Sequence, residues 1–423
     1  MKTIFEKIRL VWGDSTLRKR ILFVLGALVL TRALAVIPIP GVDQSRLASF
    51  FAGNEFLGLL NLFSGGGLST LSIVMLGVGP YITGSIIMQL LTIIFPKLKE
   101  MYQEEGNIGR KKFSQYGRML TVPMALIQGF SFLTLLTRQG VILPMSGFAM
   151  ISNLLIITAG SLLLMWIGEL MTEYGVGNGT SLIIFAGIVA QLPQILGQLI
   201  FTFEPSQIPL YVAFIIASSL IIFGVVVITE AERPIPVTYA KRVRGNRVYG
   251  GMSTHIPLRV NQAGVIPIIF ALSILLFPQL LLGFLSNVNN DIVKTVSQFV
   301  LDVLANQWFY AGAYFFLVFI FTYFYTAVTF DPDQISTNLQ KNGAFIPGVR
   351  PGASTSEYIA RILTRLTLVG ALFLGLIAVL PILMKSLTGI QSLSIGGTAL
   401  LIVVSVVIDL IKKIEAQVSI REY

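Results

Sequence analysis

The chain has 423 residues, 54% hydrophobic and 12% charged, with a mean hydropathy of +0.81. Ordinary soluble proteins carry roughly a quarter of their residues charged, so this composition excludes a soluble globule and indicates a polytopic membrane protein. Zero cysteines exclude disulfides and thiolate chemistry, and one histidine excludes a multi-histidine metal centre in this chain; the net charge of +10 fits nucleic acid, anionic lipid or plain topology until its distribution is known.

Residues 1–20 carry Ile4, Phe5, Ile8, Val11 and Trp12 near helical spacing among basic residues, as expected of a cytoplasmic amphipathic segment along a membrane surface. The first apolar span, 21–37, follows Arg18, Lys19 and Arg20 and runs into Pro38 and Pro40 without a small-residue cleavage pattern, which predicts an uncleaved helix. Next comes a broken segment. Its first part, 57–71, is too short to cross a hydrocarbon core of about 30 Å and contains Gly65, Gly66 and Gly67. Its second part, 72–95, is about long enough to span but carries Gly77, Gly79, Pro80 and Gly84. Non-helical backbone at membrane depth persists only where protein covers it or water reaches it, so the segment points to a cavity or pore. Further spans are predicted over 119–136, 150–171, 181–200, 209–228, 263–285, 308–328, 366–383 and 395–411, which makes ten with the first two.

The basic residues fall on alternate connections. Of 30 Lys and Arg, 25 lie in the N-terminal tail, 96–118, 229–262, 329–365 and the tail from Lys412; Arg46, Arg138, Lys294 and Lys385 fall on the opposite connections and Arg32 within the first span. The positive-inside rule then places both termini in the cytoplasm and accounts for most of the basic surplus. Two cytoplasmic loops are longer than a connection requires. In PVTYAKRVRGNRVYGGM, β-prone runs flank Arg244, Gly245 and Asn246, predicting a hairpin that presents Lys241, Arg242, Arg244 and Arg247. In FIPGVRPG, Pro and Gly predict a stiff turn that carries Arg350. Presented arginines suit docking to an anionic partner such as ribosomal RNA, and equally a solvated loop that obeys the charge rule.

Several features read structurally. GVGNG at 175–179 lacks a following Lys-Ser or Lys-Thr and joins two spans, so it is expected to be a tight interhelical turn. His255 has no recognisable nucleophile beside it, and Glu169 and Glu173, four apart at a span end, are assigned no chemistry. A secondary transporter also has broken helices and related halves, but apart from Arg32, Glu169 and Asp409 no ionisable residue lies well inside a span. An intramembrane enzyme would need paired acids, an activated nucleophile or a metal cluster, and none is visible.

LFSGGGLS followed by LGVGPYITGSIIMQLL resembles the plug and second transmembrane helix of the SecY family, central subunits of bacterial protein-conducting channels. IPIPGV, GNGTSLIIF, NQAGVIPIIF, GAFIPGVRPG and GGTALLIVV resemble SecY motifs in the same order along nearly the whole chain. The resemblance implies an all-α polytopic membrane fold of ten transmembrane helices in two pseudo-symmetric five-helix halves, 21–200 and 201–411, arranged as a clamshell with a re-entrant plug and followed by a cytoplasmic tail, 412–423.

It also implies a conduit for unfolded secretory polypeptides in the bacterial plasma membrane, driven by SecA or the ribosome, with SecE as an obligatory partner and SecG beside it. Signal peptides, unfolded chains and anionic lipids are further implied contacts; no cofactor, metal or ATP site is implied in the chain. Such a conduit needs a seal that does not hold its cargo, and an apolar constriction can supply one by dewetting. The resemblance assigns this pore ring to Val78, Ile82, Ile184, Ile269 and Ile402, with Val78 standing where isoleucine is usual. It assigns the plug to Asn61, Leu62, Phe63, Ser64, Gly65, Gly66, Gly67, Leu68 and Ser69, and a lateral gate between the second and seventh helices to Gln89, Gln128 and Asn261. Isolated amides are costly in hydrocarbon, so these three are expected to find partners. Lys241, Arg242, Arg244, Arg247 and Arg350 match the family's docking loops for SecA and the ribosome.

Overall fold

The computed structural model describes residues 13–40, 61, 64, 66–68, 70–103, 105–138, 140–193, 197, 208–240, 242–244, 247–249, 253–285, 291–388 and 396–422. The expected amphipathic segment up to residue 12, and Leu62, Phe63, Gly65, Ser69 and Lys241, lie outside the described residues. In chain order the elements are α1 (Ser15–Val36), α2 (Gly79–Ile94), α3 (Pro96–Gln103), α4 (Gly106–Arg138), α5 (Gly147–Tyr174), α6 (Gly179–Val189) and α7 (Ile208–Glu230). After them come β1 (Glu232–Tyr239), β2 (Arg242–Arg244), β3 (Arg247–Tyr249), β4 (Ser253–Arg259), α8 (Ile266–Leu285), α9 (Asp291–Ala305), α10 (Gln307–Thr329), α11 (Pro332–Lys341), β5 (Ala344–Phe345), α12 (Ala353–Thr388) and α13 (Gly396–Glu422). Each of the ten predicted spans contains a helix. The stretches Gly106–Thr137, Gly147–Tyr174, Gln307–Lys341 and Ala353–Leu380 are long and apolar enough alone to cross a membrane, and α2 with α3 forms a further candidate bent by 117°. That bend falls at Phe95, whose extended backbone is what a residue before proline adopts.

The chain divides into two compact units, one made of Met1–Gln207, Ser273–Ala305 and Val406–Tyr423, the other of Ile208–Leu272 and Asn306–Ser405. In the first unit α1 begins where the Asp14 side chain accepts a hydrogen bond from the Thr16 N–H at 2.8 Å. It buries Leu17, Val24, Thr31 and Ala35, a stripe repeating at about seven residues, and packs on α5 and α6. Leu22, Phe23, Leu25, Val29 and Leu30 stay exposed, the surface of a helix that meets lipid. α4, at 33 residues, is about 50 Å long, so its first turns with Arg110, Lys111 and Lys112 extend past a core of about 30 Å.

Without a hydrophobic driving force between helices in lipid, close packing depends on small residues. Gly160 of α5 shows this: a Cβ there would lie 2.0 Å from the carbonyl oxygen of Ile73. The GVGNG segment is the tight turn its sequence predicts, because Gly175 ends α5 and the Asn178 side chain caps α6 by accepting from the N–H groups of Thr180 and Ser181.

In the second unit α10 and α12 form the main helix pair, with Tyr314, Val318, Ala371, Leu374 and Ala378 fully or nearly fully buried. The two long loops contribute a three-stranded sheet of order β4–β1–β5, all antiparallel, which their sequences did not signal. Ile235 and Val237 alternate inward along β1 and join Leu258, Ala344, Ile346, Ile359, Ile362 and Leu363 in one apolar cluster. His255 is an exposed β4 residue opposite Pro236, a structural position.

One span boundary is corrected. The second span was expected from residue 72, yet residues 73–78 are turns, Ser72 forms an isolated bridge, and the helix starts at Gly79 with Pro80 in its first turn, where a missing N–H costs nothing. Replacing Gly160 with Ala should force the Ile73 backbone away and cost about 1–3 kcal/mol by overpacking, whereas Gly26→Ala, with nothing within 4 Å, should be neutral or slightly stabilising. Thermal unfolding of the two variants in detergent, compared with the parent, checks this; equal midpoints would refute the contact.

Candidate functional site

The described residues from Ser64 to Val78 are irregular backbone, so the groups a helix would satisfy internally must find other partners. Local turns supply several. The Ser64 hydroxyl donates to the Asn61 carbonyl and accepts from the Leu68 N–H, both at 3.0 Å, and the Ser72 N–H and hydroxyl both donate to the Gly67 carbonyl at 2.9 and 3.1 Å. Gly66 has φ +83°, a left-handed conformation that favours glycine, and its N–H donates to the Asn61 carbonyl at 2.8 Å.

The rest come from elsewhere in the chain. Pro38 and Ser72 pair as an antiparallel bridge flanked by hydrogen bonds from the Ile39 N–H to the Leu71 carbonyl and from the Ile73 N–H to the Ile37 carbonyl, each 2.9 Å. Thr70 Oγ1 donates to the Ala35 carbonyl at the end of α1 at 2.8 Å, and Gln191 Nε2 reaches the Asn61 carbonyl at 3.4 Å. The Arg32 guanidinium lies so near the segment that a Cβ on Gly66 would sit 3.2 Å from its Nη1. Apolar anchors complete the hold: Leu68 and Leu71 are buried with Ile39, Met75, Phe132, Leu133, Leu136 and Ile157. The segment is therefore a self-bonded plug-like loop clipped to α1 and seated on α4 and α5. The sequence marked its glycines but held no signal for the partners from α1 and beyond α6, which lie roughly 30 to 130 residues away.

The five apolar positions assigned to a ring divide between the units. Val78, fully buried, and half-buried Ile82 stand one turn apart at the start of α2, and Ile184 is buried in α6 of the same unit. Half-buried Ile269 on α8 and buried Ile402 on α13 belong to the second unit.

The three amides assigned to the gate differ in partnership. Gln128 Nε2 of α4 donates to Thr83 Oγ1 of α2 at 3.3 Å, tying two helices of the first unit. Gln89 on α2 has a buried side-chain oxygen with no hydrogen-bond partner. Asn261, buried in the second unit, donates through Nδ2 to the Gly264 carbonyl at 3.2 Å while its Oδ1 has no partner. Gly370 of α12 admits this backbone, since a Cβ there would lie 2.6 Å from the Val260 carbonyl. Glu169 accepts from Arg118 Nε at 2.6 Å, a cross-helix ion pair 51 residues apart that sequence reasoning missed.

On the loops, β2 and β3 pair Arg242 with Tyr249 and Arg244 with Arg247, which gives the predicted hairpin at backbone level. The FIPGVRPG turn is fastened at several points: the Val349 N–H donates to the Ile346 carbonyl, Thr355 Oγ1 to the Arg350 carbonyl at 2.8 Å, and Ser336 Oγ to the Gly352 carbonyl at 2.6 Å. Ser356 additionally donates to Asp333. Buried Ile346 roots the turn in the sheet cluster, and Arg350 stays exposed on it.

Helices in each of the ten predicted spans, with an irregular, internally bonded segment in the first unit, define a multi-pass membrane protein with a broken span. The chain belongs to the SecY family, whose description matches residues 72–411. It is 41% identical to the protein translocase subunit SecY of Mycobacterium bovis (strain ATCC BAA-935 / AF2122/97), across 96% of either chain. Its fold is similar to that of a solved protein-conducting channel, with a TM-score of 0.64 at 19% identity over 94% of this chain and 92% of the other. It is also similar to Sec61 in a canine ribosome-channel complex from the endoplasmic reticulum, with a TM-score of 0.61, 19% identity and the same coverage. SecY proteins are translocation channels, not enzymes, and this chain is one of that class.

Because Gln128 and Thr83 meet across α2 and α4, Gln128→Leu and Thr83→Val should show a coupling of about 0.6 kcal/mol, at most ~2 kcal/mol, in a double-mutant cycle. Denaturant unfolding in detergent reads it; strictly additive single effects would mean the hydrogen bond contributes nothing.

Proposed function

We propose that this chain forms the pore of a bacterial plasma-membrane translocase, passing unfolded secretory polypeptides across the bilayer and releasing apolar segments sideways into it. The observation that carries the reading is the clipped, non-helical backbone of the described residues between 64 and 78, because irregular backbone at membrane depth belongs to a protein-lined or water-lined path. In this reading the segment is the plug. Its hydrogen bonds to α1 and the residues after it hold it in place until a moving chain displaces it. Val78, Ile82, Ile184, Ile269 and Ile402 form the ring. Side chains that offer no hydrogen bonds make a narrow pore costly to wet, while a translocating chain parts them without being retained.

The lateral gate uses Gln89, Gln128 and Asn261. The buried, unpartnered oxygens of Gln89 and Asn261 support this, since an amide acceptor without a donor costs about 1–3 kcal/mol and gains when a gate movement or an entering signal segment brings one. The two halves, 21–200 and 201–411, move about that seam as a clamshell. Arg242, Arg244, Arg247 and Arg350, with Lys241, form the cytoplasmic docking face for the ribosome or for SecA, and the fastened FIPGVRPG turn supports a preformed contact. The Sec61 structure similar to this one was solved with a ribosome. SecE and SecG complete the assembly, and both chain termini are cytoplasmic. No observation favours a small-solute transporter.

Ile402→Asn tests the ring. It places a hydrogen-bonding group in the constriction, and idle channels reconstituted in planar bilayers should then pass ions well above the parent's resting level; unchanged resting conductance would remove Ile402 from the seal.

The sidedness has its own test. Since the chain has no cysteine, Lys341→Cys should react with a membrane-impermeant maleimide only from the cytoplasmic side of inner-membrane vesicles, and Lys294→Cys only from the other. Reversed labelling would overturn the topology.

A further inference from the structure

Between the spans of α8 and α10 the chain forms α9, fifteen residues with three distinct faces. Ser297 is buried and Val300 and Leu304 are half-buried, marking the side that packs on protein. Lys294, Gln298 and Asp302 occupy a second, exposed face, where Gln298 Nε2 donates to Asp302 Oδ1 at 3.2 Å. On the third, the helical step of about 100° per residue brings Ile292, Val296, Phe299 and Val303 into one sector about 60° wide. Ile292, Val296 and Phe299 of that stripe are 75%, 55% and 68% exposed. A soluble loop has no reason to turn three large apolar side chains outward in line.

The ends of α9 say where this stripe lies. Its last residue, Ala305, is one residue from the start of α10, whose first turn exposes Trp308 and Phe309 as residues at a membrane boundary do. At the other end only residues 286–290 separate α9 from α8, a reach of about 20 Å even when extended. A helix about 22 Å long, held at both ends to helices that enter the bilayer, runs along the boundary and not away from it. Four side chains in one row are too few for the roughly 800 Å² per partner of a stable protein interface. Asp291, Lys294 and Asp302 leave the helix slightly acidic, so attraction to anionic headgroups does not hold it.

We propose that α9 is an interfacial helix that lies in the bilayer surface with Ile292, Val296 and Phe299 in the acyl boundary, anchoring the connection between α8 and α10 to lipid. The inference rests on α10 spanning the bilayer and is independent of what the channel conducts. The absence of cysteine allows a direct test: Val296→Cys and Phe299→Cys on the stripe, and Lys294→Cys and Gln298→Cys on the polar face, each spin-labelled in the full-length chain with its assembled partners in phosphatidylcholine vesicles. Collisions with lipid-soluble oxygen should dominate at 296 and 299, and collisions with a water-soluble nickel chelate at 294 and 298. Ile292→Cys serves in place of a stripe variant that does not assemble. Nickel access equal at all four positions would place the stripe in water and overturn the proposal. So would shielding of the stripe from both reagents, which would mean that protein covers it.

Discussion

Backbone polar groups cannot go unpaired in hydrocarbon, and the architecture of this protein follows from how it meets that constraint where it departs from helix. Among the described residues from Ser64 to Val78 the chain replaces the helical ladder with turns, serine hydroxyls and two main-chain bonds to the extended residues after α1, Ile37 and Ile39. The replacement draws on local turns and on partners tens of residues away. About 1 kcal/mol net is typical of each such bond, so the hold on this segment is a sum of small contributions.

Seating the segment also dictates the neighbouring packing. The Ile73 carbonyl can lie against α5 only because residue 160 has no side chain, and the Gly168 carbonyl approaches α6 only because residue 179 has none, a Cβ there falling 2.0 Å away. Hydrophobic burial does not distinguish a helix neighbour from a lipid, so these close approaches, with the Gln128–Thr83 bond and the Arg118–Glu169 pair, decide which faces meet. The apolar surfaces of α1 and α7 that remain exposed have the residue types lipid requires.

The two long loops follow soluble-protein rules. β1 alternates Ile235 and Val237 into an apolar cluster closed by α12, and the arginine-bearing turn after β5 is rooted in the same cluster through Ile346. A turn fastened this way keeps one conformation without help from the membrane.

Composition and charge placement alone determined the membrane class, the ten helical regions, the break near residues 61–80 and the tight turn at 175–179, because hydropathy, the positive-inside bias and the backbone demands of Gly and Pro act locally. The arginine hairpin and the fastened turn at Arg350 were legible for the same reason. Tertiary structure decided what depends on distant partners. The Pro38–Ser72 bridge moved the start of α2 to Gly79, β1 paired with both β4 and β5, Glu169 found Arg118, and Gln128 found Thr83, leaving Gln89 and Asn261 each with an unpaired oxygen. Sequence periodicity records which face of an element is apolar, but hydrogen-bond partners tens of residues apart leave no periodic trace, so only the folded chain reveals them.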